Sequence, residues 1–137
     1  MKKLFALSLS LLMMVSCSSA QKEIQVGALS FDEYLPLLEG KRVSILSNQT
    51  GMVSSTTHLL DTLLDMGVNV VSIMSPEHGF RGVADAGEHV SSSIDPDTGI
   101  PIRSLYESGV NRPSDESMAE FDVMVFDLQD VGVRFYT

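Results

Sequence analysis

Apolar positions fall into three kinds of run along this chain, and each predicts a different element. Residues 4–15 are almost continuously apolar, with Lys2 and Lys3 ahead and the small residues Ser16, Cys17, Ser18, Ser19 and Ala20 behind. That is the charged, apolar and cleavable order of a secretory leader, and the run is shorter than the roughly 20 apolar residues that span a bilayer. The second kind has helical spacing. Phe31, Tyr34, Leu35, Leu37 and Leu38 follow Ser30, which with Glu33 has the form of a capping box, and Gly40 stands where the helix stops. Pro36 inside the stretch predicts a short or irregular helix. Leu59, Leu60, Leu63, Leu64 and Met66 repeat the spacing after His58 and halt at Gly67. The third kind is the short apolar run suited to a strand covered on both faces: residues 42–47 (Arg-Val-Ser-Ile-Leu-Ser), 68–74 (Val-Asn-Val-Val-Ser-Ile-Met) and 121–128 (Phe-Asp-Val-Met-Val-Phe-Asp-Leu). Residues 90–94 and 100–105 flank Asp95-Pro96-Asp97-Thr98-Gly99, a hairpin or sharp turn, and Pro113 with Ser114 opens a short helix reaching about Glu120.

Strand, helix, strand, then an excursion, a helix and a third strand is the order of a parallel sheet with helical crossovers, an open α/β fold. A chain of 137 residues holds one domain of ordinary size. Three core strands make a small sheet, so the expectation is an incomplete N-terminal portion of a longer protein, divided into a leader at 1–20, a tether at 21–29 and a catalytic domain from 30 to 137. Eighteen acidic against nine basic residues argue against a nucleic-acid partner, which needs a basic face. The single cysteine excludes an internal disulfide framework and a Cys-based zinc site. Its place, Met14-Val15-Ser16-Cys17, resembles a bacterial lipobox, in which cleavage before Cys17 leaves the thiol carrying a diacylglyceryl anchor; ordinary cleavage after Ala20, discarding Cys17, is the other reading. Cleavage before Cys17 removes Lys2 and Lys3 and takes the net charge from −9 to −11, so membrane contact is expected through lipid alone, on a lipoprotein of the cell envelope that faces the periplasm or sits in the outer membrane.

In open α/β sheets ligands bind beyond the carboxyl ends of the strands. Here those ends carry Asn48-Gln49-Thr50-Gly51, Pro76-Glu77-His78-Gly79-Phe80-Arg81-Gly82 and Asp127-Leu128-Gln129-Asp130-Val131-Gly132, the densest polar chemistry in the chain. Glu77, just past a buried strand, is placed to act as an acid or base if partly desolvated; it is equally a loop carboxylate satisfied by Arg81 or by backbone amides. His78 orients Glu77, contacts substrate or caps the loop. Glu88-His89 reads as surface and His58 as structural. Asp127 and Asp130 are metal ligands, the second carboxylate of a hydrolytic pair, or caps on the element after the strand. No HxH or HExxH spacing fixes a metal, and neither GxGxxG, GxxxxGK[ST] nor GxSxG is present. Asn48, Gln49 and Thr50 suit hydroxyls and amides, and Phe80, Phe135 and Tyr136 stack on a sugar face or belong to a core. Neutral polar loops with one candidate acid favour a carbohydrate over a nucleotide.

Four segments in order then resemble one family: Ser-Asn-Gln-Thr-Gly at 47–51, Pro-Glu-His-Gly-Phe-Arg-Gly at 76–82, Asp-x-x-Thr-Gly-Ile-Pro-Ile-x-Ser-Leu-Tyr at 95–106 and Val-Phe-Asp-Leu-Gln-Asp-Val-Gly-Val-Arg-Phe-Tyr-Thr at 125–137. The chain is similar to the exo-β-N-acetylmuramidases of the NamZ type. The resemblance implies a three-layer, Rossmann-like, mainly parallel open sheet, with a second domain that this chain lacks. It implies removal of terminal N-acetylmuramic acid from the non-reducing end of peptidoglycan fragments, without cofactor or metal. By the same resemblance Glu77 is carried over as the catalytic acid/base, with Asn48, Thr50, His78, Arg81, Asp127, Gln129 and Asp130 lining the substrate site. The segment departs from the family after Tyr106, where Glu107-Ser108-Gly109 replaces an immediate glycine. Two other classes stay open from the residues themselves, a metal-dependent hydrolase and a non-catalytic glycan-binding lipoprotein.

Overall fold

A computed structural model of the protein describes residues 24–76, 79–81, 92–105, 112–129 and 132. The leader and Cys17 lie outside the described residues, as do Glu77, His78, Glu88, His89, Asp130, Phe135, Tyr136 and the 107–109 variation.

The three apolar runs form β1 (Val43–Ser47), β2 (Val70–Ser75) and β5 (Val123–Asp127). All five residues of β1 are buried, as befits the middle of a sheet. The excursion supplies two more strands, β3 (Ser93–Ile94) and β4 (Pro101–Ser104), joined by the tight turn at 95–99 as an antiparallel hairpin. The sheet runs β3-β4-β2-β1-β5, and every neighbouring pair except β3–β4 is parallel. The fold is thus the mainly parallel, Rossmann-like open α/β sheet. It carries one more parallel strand than the apolar runs promised: β4 turns only Ile102 fully inward, and four residues with a single buried side chain give little periodic signal.

One face is covered by α1 (Phe31–Leu38) and α2 (Leu59–Asp65). Val43, Ile45, Ile73 and Ile102 meet Leu38, Leu59, Leu60 and Leu63 there, with Phe31, Tyr34, Val123 and Val125 closing the margin. Helix α1 begins where the spacing predicted, but the expected capping box is not made: the Ser30 side chain accepts no cap hydrogen bond from the first turn, because Ser30 also closes the preceding 3-10 turn (Gly27–Leu29) and its ψ of 52° is not extended. That turn is also the end of the expected tether, and the Tyr34 hydroxyl ties it down by donating to the Ala28 carbonyl at 2.7 Å. Gly40, at φ 69°, turns the chain from α1 into β1.

The steps from β1 to β2 to β4 move across the sheet in one direction, and the return to β5 crosses to the far side of β1. Right-handed crossovers then place the last helix, α3 (Asp115–Met118), on the opposite face. Arg103, one position on from core-facing Ile102, turns to that face and grips Glu120 through two bonds of 3.2 and 2.7 Å. Ser114 caps α3 by accepting from the Ser117 N–H. The reversal of direction falls between β1 and β5, which opens a crevice beyond their carboxyl ends.

Candidate active site

Ser47 and Asp127 are register partners on the last rung of the β1–β5 ladder, so both side chains end at the mouth of that crevice. Gly51 lies against them. A Cβ placed on Gly51 would stand 3.0 Å from Asp127 Oδ2 and 3.0 Å from His58 Nε2, and inside the contact radius of Ser47 Oγ. Only a residue without a side chain lets three polar groups from β1, β5 and α2 meet at one point. Asn48, buried, is held twice. Its side-chain oxygen accepts from the Thr50 N–H (2.9 Å) and hydroxyl (2.7 Å). Its carbonyl accepts from His58 Nε2 (2.9 Å), the Gly51 N–H (3.1 Å) and, at longer range, the Ser47 hydroxyl (3.3 Å).

His58 has one tautomer open to it. Nδ1 receives the Leu60 N–H at 3.1 Å, capping α2, so Nδ1 carries no proton; Nε2 faces a carbonyl, which only accepts, so Nε2 is the protonated nitrogen. With both nitrogens occupied, His58 is not a free base beside Ser47, and its reading as a structural residue agrees with the cap it makes.

The segment after β2 is pinned on both sides of positions 77 and 78. Ser75 Oγ donates to the Pro76 carbonyl (3.2 Å), which also accepts from the Gly79 N–H (3.3 Å), and Gly79 takes φ 77°. Phe80 is 2% exposed and meets the His58 ring edge-on at 4.8 Å, so it belongs to the core rather than to a sugar-stacking face. Arg81 spans Asp95 with Nε–Oδ1 at 3.1 Å and Nη2–Oδ2 at 2.9 Å, while its guanidinium covers the Phe80 ring at 5.0 Å. The Thr98 hydroxyl completes Asp95 at 2.7 Å. Burial alone pushes the Asp95 carboxyl up, but the hydrogen bonds from Arg81 and Thr98 outweigh it and hold the carboxyl below its ordinary value. The Arg81 guanidinium is thus paired with Asp95, with Asp97 (3.5 Å) and Asp61 (3.8 Å) in attendance.

Thr50, Asp127 and Gln129 border a cavity of about 680 Å³, walled otherwise by apolar groups including Tyr34, Leu38, Met52 and Val125. Burial, and then the Asp127 carboxylate, raise the Tyr34 phenol above its ordinary value. Among the described residues no three His, Cys, Asp or Glu side chains stand close enough together to hold a metal ion. The structure thus gathers Thr50, Asp127 and Gln129 around one rim, with Asn48 buried and bonded to Thr50, and turns Arg81 toward the 95–99 turn. Asp95 was legible only as a turn residue. Its Asp-x-x-Thr spacing signals a locally satisfied carboxylate, but nothing periodic links it to Arg81 fourteen positions earlier.

Residues 43–137 match the family model described as exo-beta-N-acetylmuramidase NamZ, N-terminal. The chain belongs to this family. Within it, the chain is 40% identical over 106 residues to the peptidoglycan beta-N-acetylmuramidase NamZ of Bacillus subtilis (strain 168), an alignment covering 77% of this chain and 25% of that protein. Two crystal structures of DUF1343 family proteins from Bacteroides fragilis NCTC 9343 share the fold of this NamZ N-terminal unit. One has TM-score 0.68 at 46% identity, covering 84% of this chain and 28% of the other; the second has TM-score 0.65 at 36% identity, covering 77% and 26%. The chain spans about a quarter of the length of these relatives.

Proposed function

We propose that the full-length protein is an exo-acting glycosidase that releases N-acetylmuramic acid from the non-reducing end of peptidoglycan-derived muramyl saccharides, and that this chain is its catalytic N-terminal portion. The observation that carries the reading is the rim itself: a carboxylate, Asp127, and neutral donors and acceptors on Thr50 and Gln129 border one cavity at the β1–β5 reversal of a NamZ-family sheet, with Asn48 bonded to Thr50 beside it. Glu77 follows β2, the strand beside β1, and is the general acid that protonates the glycosidic oxygen, with His78 beside it. Asp127, Asp130 or the substrate's own acetamido group stabilises the oxocarbenium-like transition state. No cofactor enters. A lipid on Cys17 holds the enzyme at the cell envelope, where its substrate lies.

The test is release of N-acetylmuramic acid from a chromogenic muramide by the full-length protein. Glu77→Gln is expected to lower kcat by about a hundredfold or more, the usual share of a positioned acid. A Glu77→Gln variant at full rate removes Glu77 from the mechanism. Loss of turnover with chelator and rescue by a divalent cation turns the reading to a metal-dependent hydrolase, and fragments that bind without being cleaved turn it to a glycan-binding lipoprotein. Metabolic labelling with a radioactive fatty acid tests the anchor: label is expected on the parent and not on Cys17→Ser.

A further inference from the structure

We propose that His58 is a positioning residue for the proposed glycosidase reaction, acting on Asn48 through Nε2, and not only the cap of α2. The inference rests on the functional reading above and goes beyond it by naming a residue that contacts no substrate. The two ring nitrogens do separate work. Nδ1 accepts from the Leu60 N–H and ends α2; Nε2 donates to the Asn48 carbonyl and fixes the turn that leaves β1. The ring is 4% exposed and wedged by Phe80, so it has no room to swing away. Arg81 covers Phe80 and is itself bound to Asp95. A continuous line of contacts therefore runs from the 95–99 turn through the segment after β2 to the turn after β1, and His58 is the link between the last two. Asp127 Oδ2 and His58 Nε2 lie at the same distance from the Gly51 position, so a shift of the Asn48 turn also disturbs the ground on which the β5 carboxylate sits.

The chemistry of the side chain allows the two roles to be separated. Asparagine in place of histidine puts an acceptor near the Nδ1 position and remains a good helix cap, but it does not reach Asn48. Glutamine puts an N–H near the Nε2 position and is a poor cap. In the full-length enzyme, His58→Asn is expected to melt earlier, since a buried ring and its hydrogen bond are lost, while kcat, per folded molecule, falls by about tenfold or more, as misplacement of a contact by a fraction of an ångström does. His58→Gln is expected to melt earlier yet keep kcat per folded molecule within about threefold of the parent, against that same positioning cost. In a double-mutant cycle with Asn48→Ala the two losses are expected to be non-additive. Parent-like kcat in His58→Asn, or losses in both variants that only track the folded fraction, overturns the inference. The parent's own turnover is read first: failure to release the sugar there overturns the functional reading, whereas failure of the variants to diverge overturns the role of His58 alone.

Discussion

Two two-pronged Arg–Asp pairs brace the sheet, one at its amino edge and one between the segment that leaves β2 and the turn that leads into β4, yet the pairs belong to different worlds. At the amino edge Arg42 meets Asp122 at 2.7 and 3.3 Å, takes a second hold through its own N–H (2.9 Å) and reaches the Ala119 carbonyl. Both side chains are about half in water, 48% and 40% exposed. Arg81, on the segment that leaves β2, meets Asp95, in the turn that leads into β4, with similar distances, but Asp95 has no exposure at all. The amino pair joins the approaches to β1 and β5 and leaves its unpaired capacity to solvent. In the second pair Asp95 is wholly shut off from water and only Arg81 reaches it in part, and Asn48 and His58 are buried as well. A sheet that needed only stability has no reason to bury charge and amides when apolar side chains would serve as well. Burial there is explained by what it fixes: the segments that leave β1 and β2.

Breaking the Arg81–Asp95 pair is accordingly the largest expected effect. Asp95→Ala strands the Arg81 charge, and the loss is expected at about 3 kcal/mol, the lower end for a broken buried pair because Arg81 keeps partial access to water and has Asp97 and Asp61 near. Chemical denaturation of the variant and parent measures it. The same residue sets a pH signature. Its carboxyl is held below the ordinary value of 3.8 in the folded chain, so its contribution is complete above that value and declines as pH falls further through the folded value. Thermal midpoints are expected to drop on acidification below about pH 4 in the parent, and less so in Asp95→Asn, which has no such proton to take up.

A smaller effect is expected at Gly51. Its φ is not in the left-handed region, so alanine meets no backbone strain; the obstacle is space among Ser47, Asp127 and His58. Gly51→Ala has to push the buried Ser47 hydroxyl off the Asn48 carbonyl, at about 2 kcal/mol for a local overpacking. The sharper readout is turnover: activity per folded molecule is expected to fall as well, because the added methyl presses on Asp127. Unchanged turnover alongside the stability loss separates the rim from the reaction.

This arrangement was only half legible in the sequence. The strands β1, β2 and β5 announce themselves because buried parallel strands are continuous apolar runs, and α2 because Leu59, Leu60 and Leu63 share one helical face. The polar clusters after those strands were visible for the same reason, since chain order alone places them at carboxyl ends. Partnership was not visible. Nothing in the order of residues says that Arg81 turns to Asp95, that Phe80 goes inward to His58, or that Gly51 is a meeting point rather than a turn residue. Those facts depend on which strands become neighbours and on rotamers chosen by packing across the sheet. Ser30 teaches the same lesson in the other direction: a well-formed capping signal went unused because the preceding turn claimed its backbone first.

The least effect is expected at the amino edge, and its smallness is what gives the comparison its meaning. The Arg42 side chain, helped by its own backbone N–H, holds the Asp122 carboxyl down to about 2. A folded value below the ordinary 3.8 means that the pair stabilises the fold above that pH and fades as the solution is acidified toward 2. Both groups face water, where salt competes for each of them and the ordering of two long side chains offsets much of the attraction. Asp122→Asn keeps an acceptor for the Arg42 N–H and loses only the charge. Its thermal midpoint at neutral pH is expected to sit close to the parent's, with the remaining difference shrinking as sodium chloride is raised. The Asp95→Ala difference, sheltered from salt, is expected to persist over the same titration. Equal salt sensitivity in the two variants would mean that water reaches both pairs alike, and the Arg81–Asp95 pair would lose its claim to be the preorganised one.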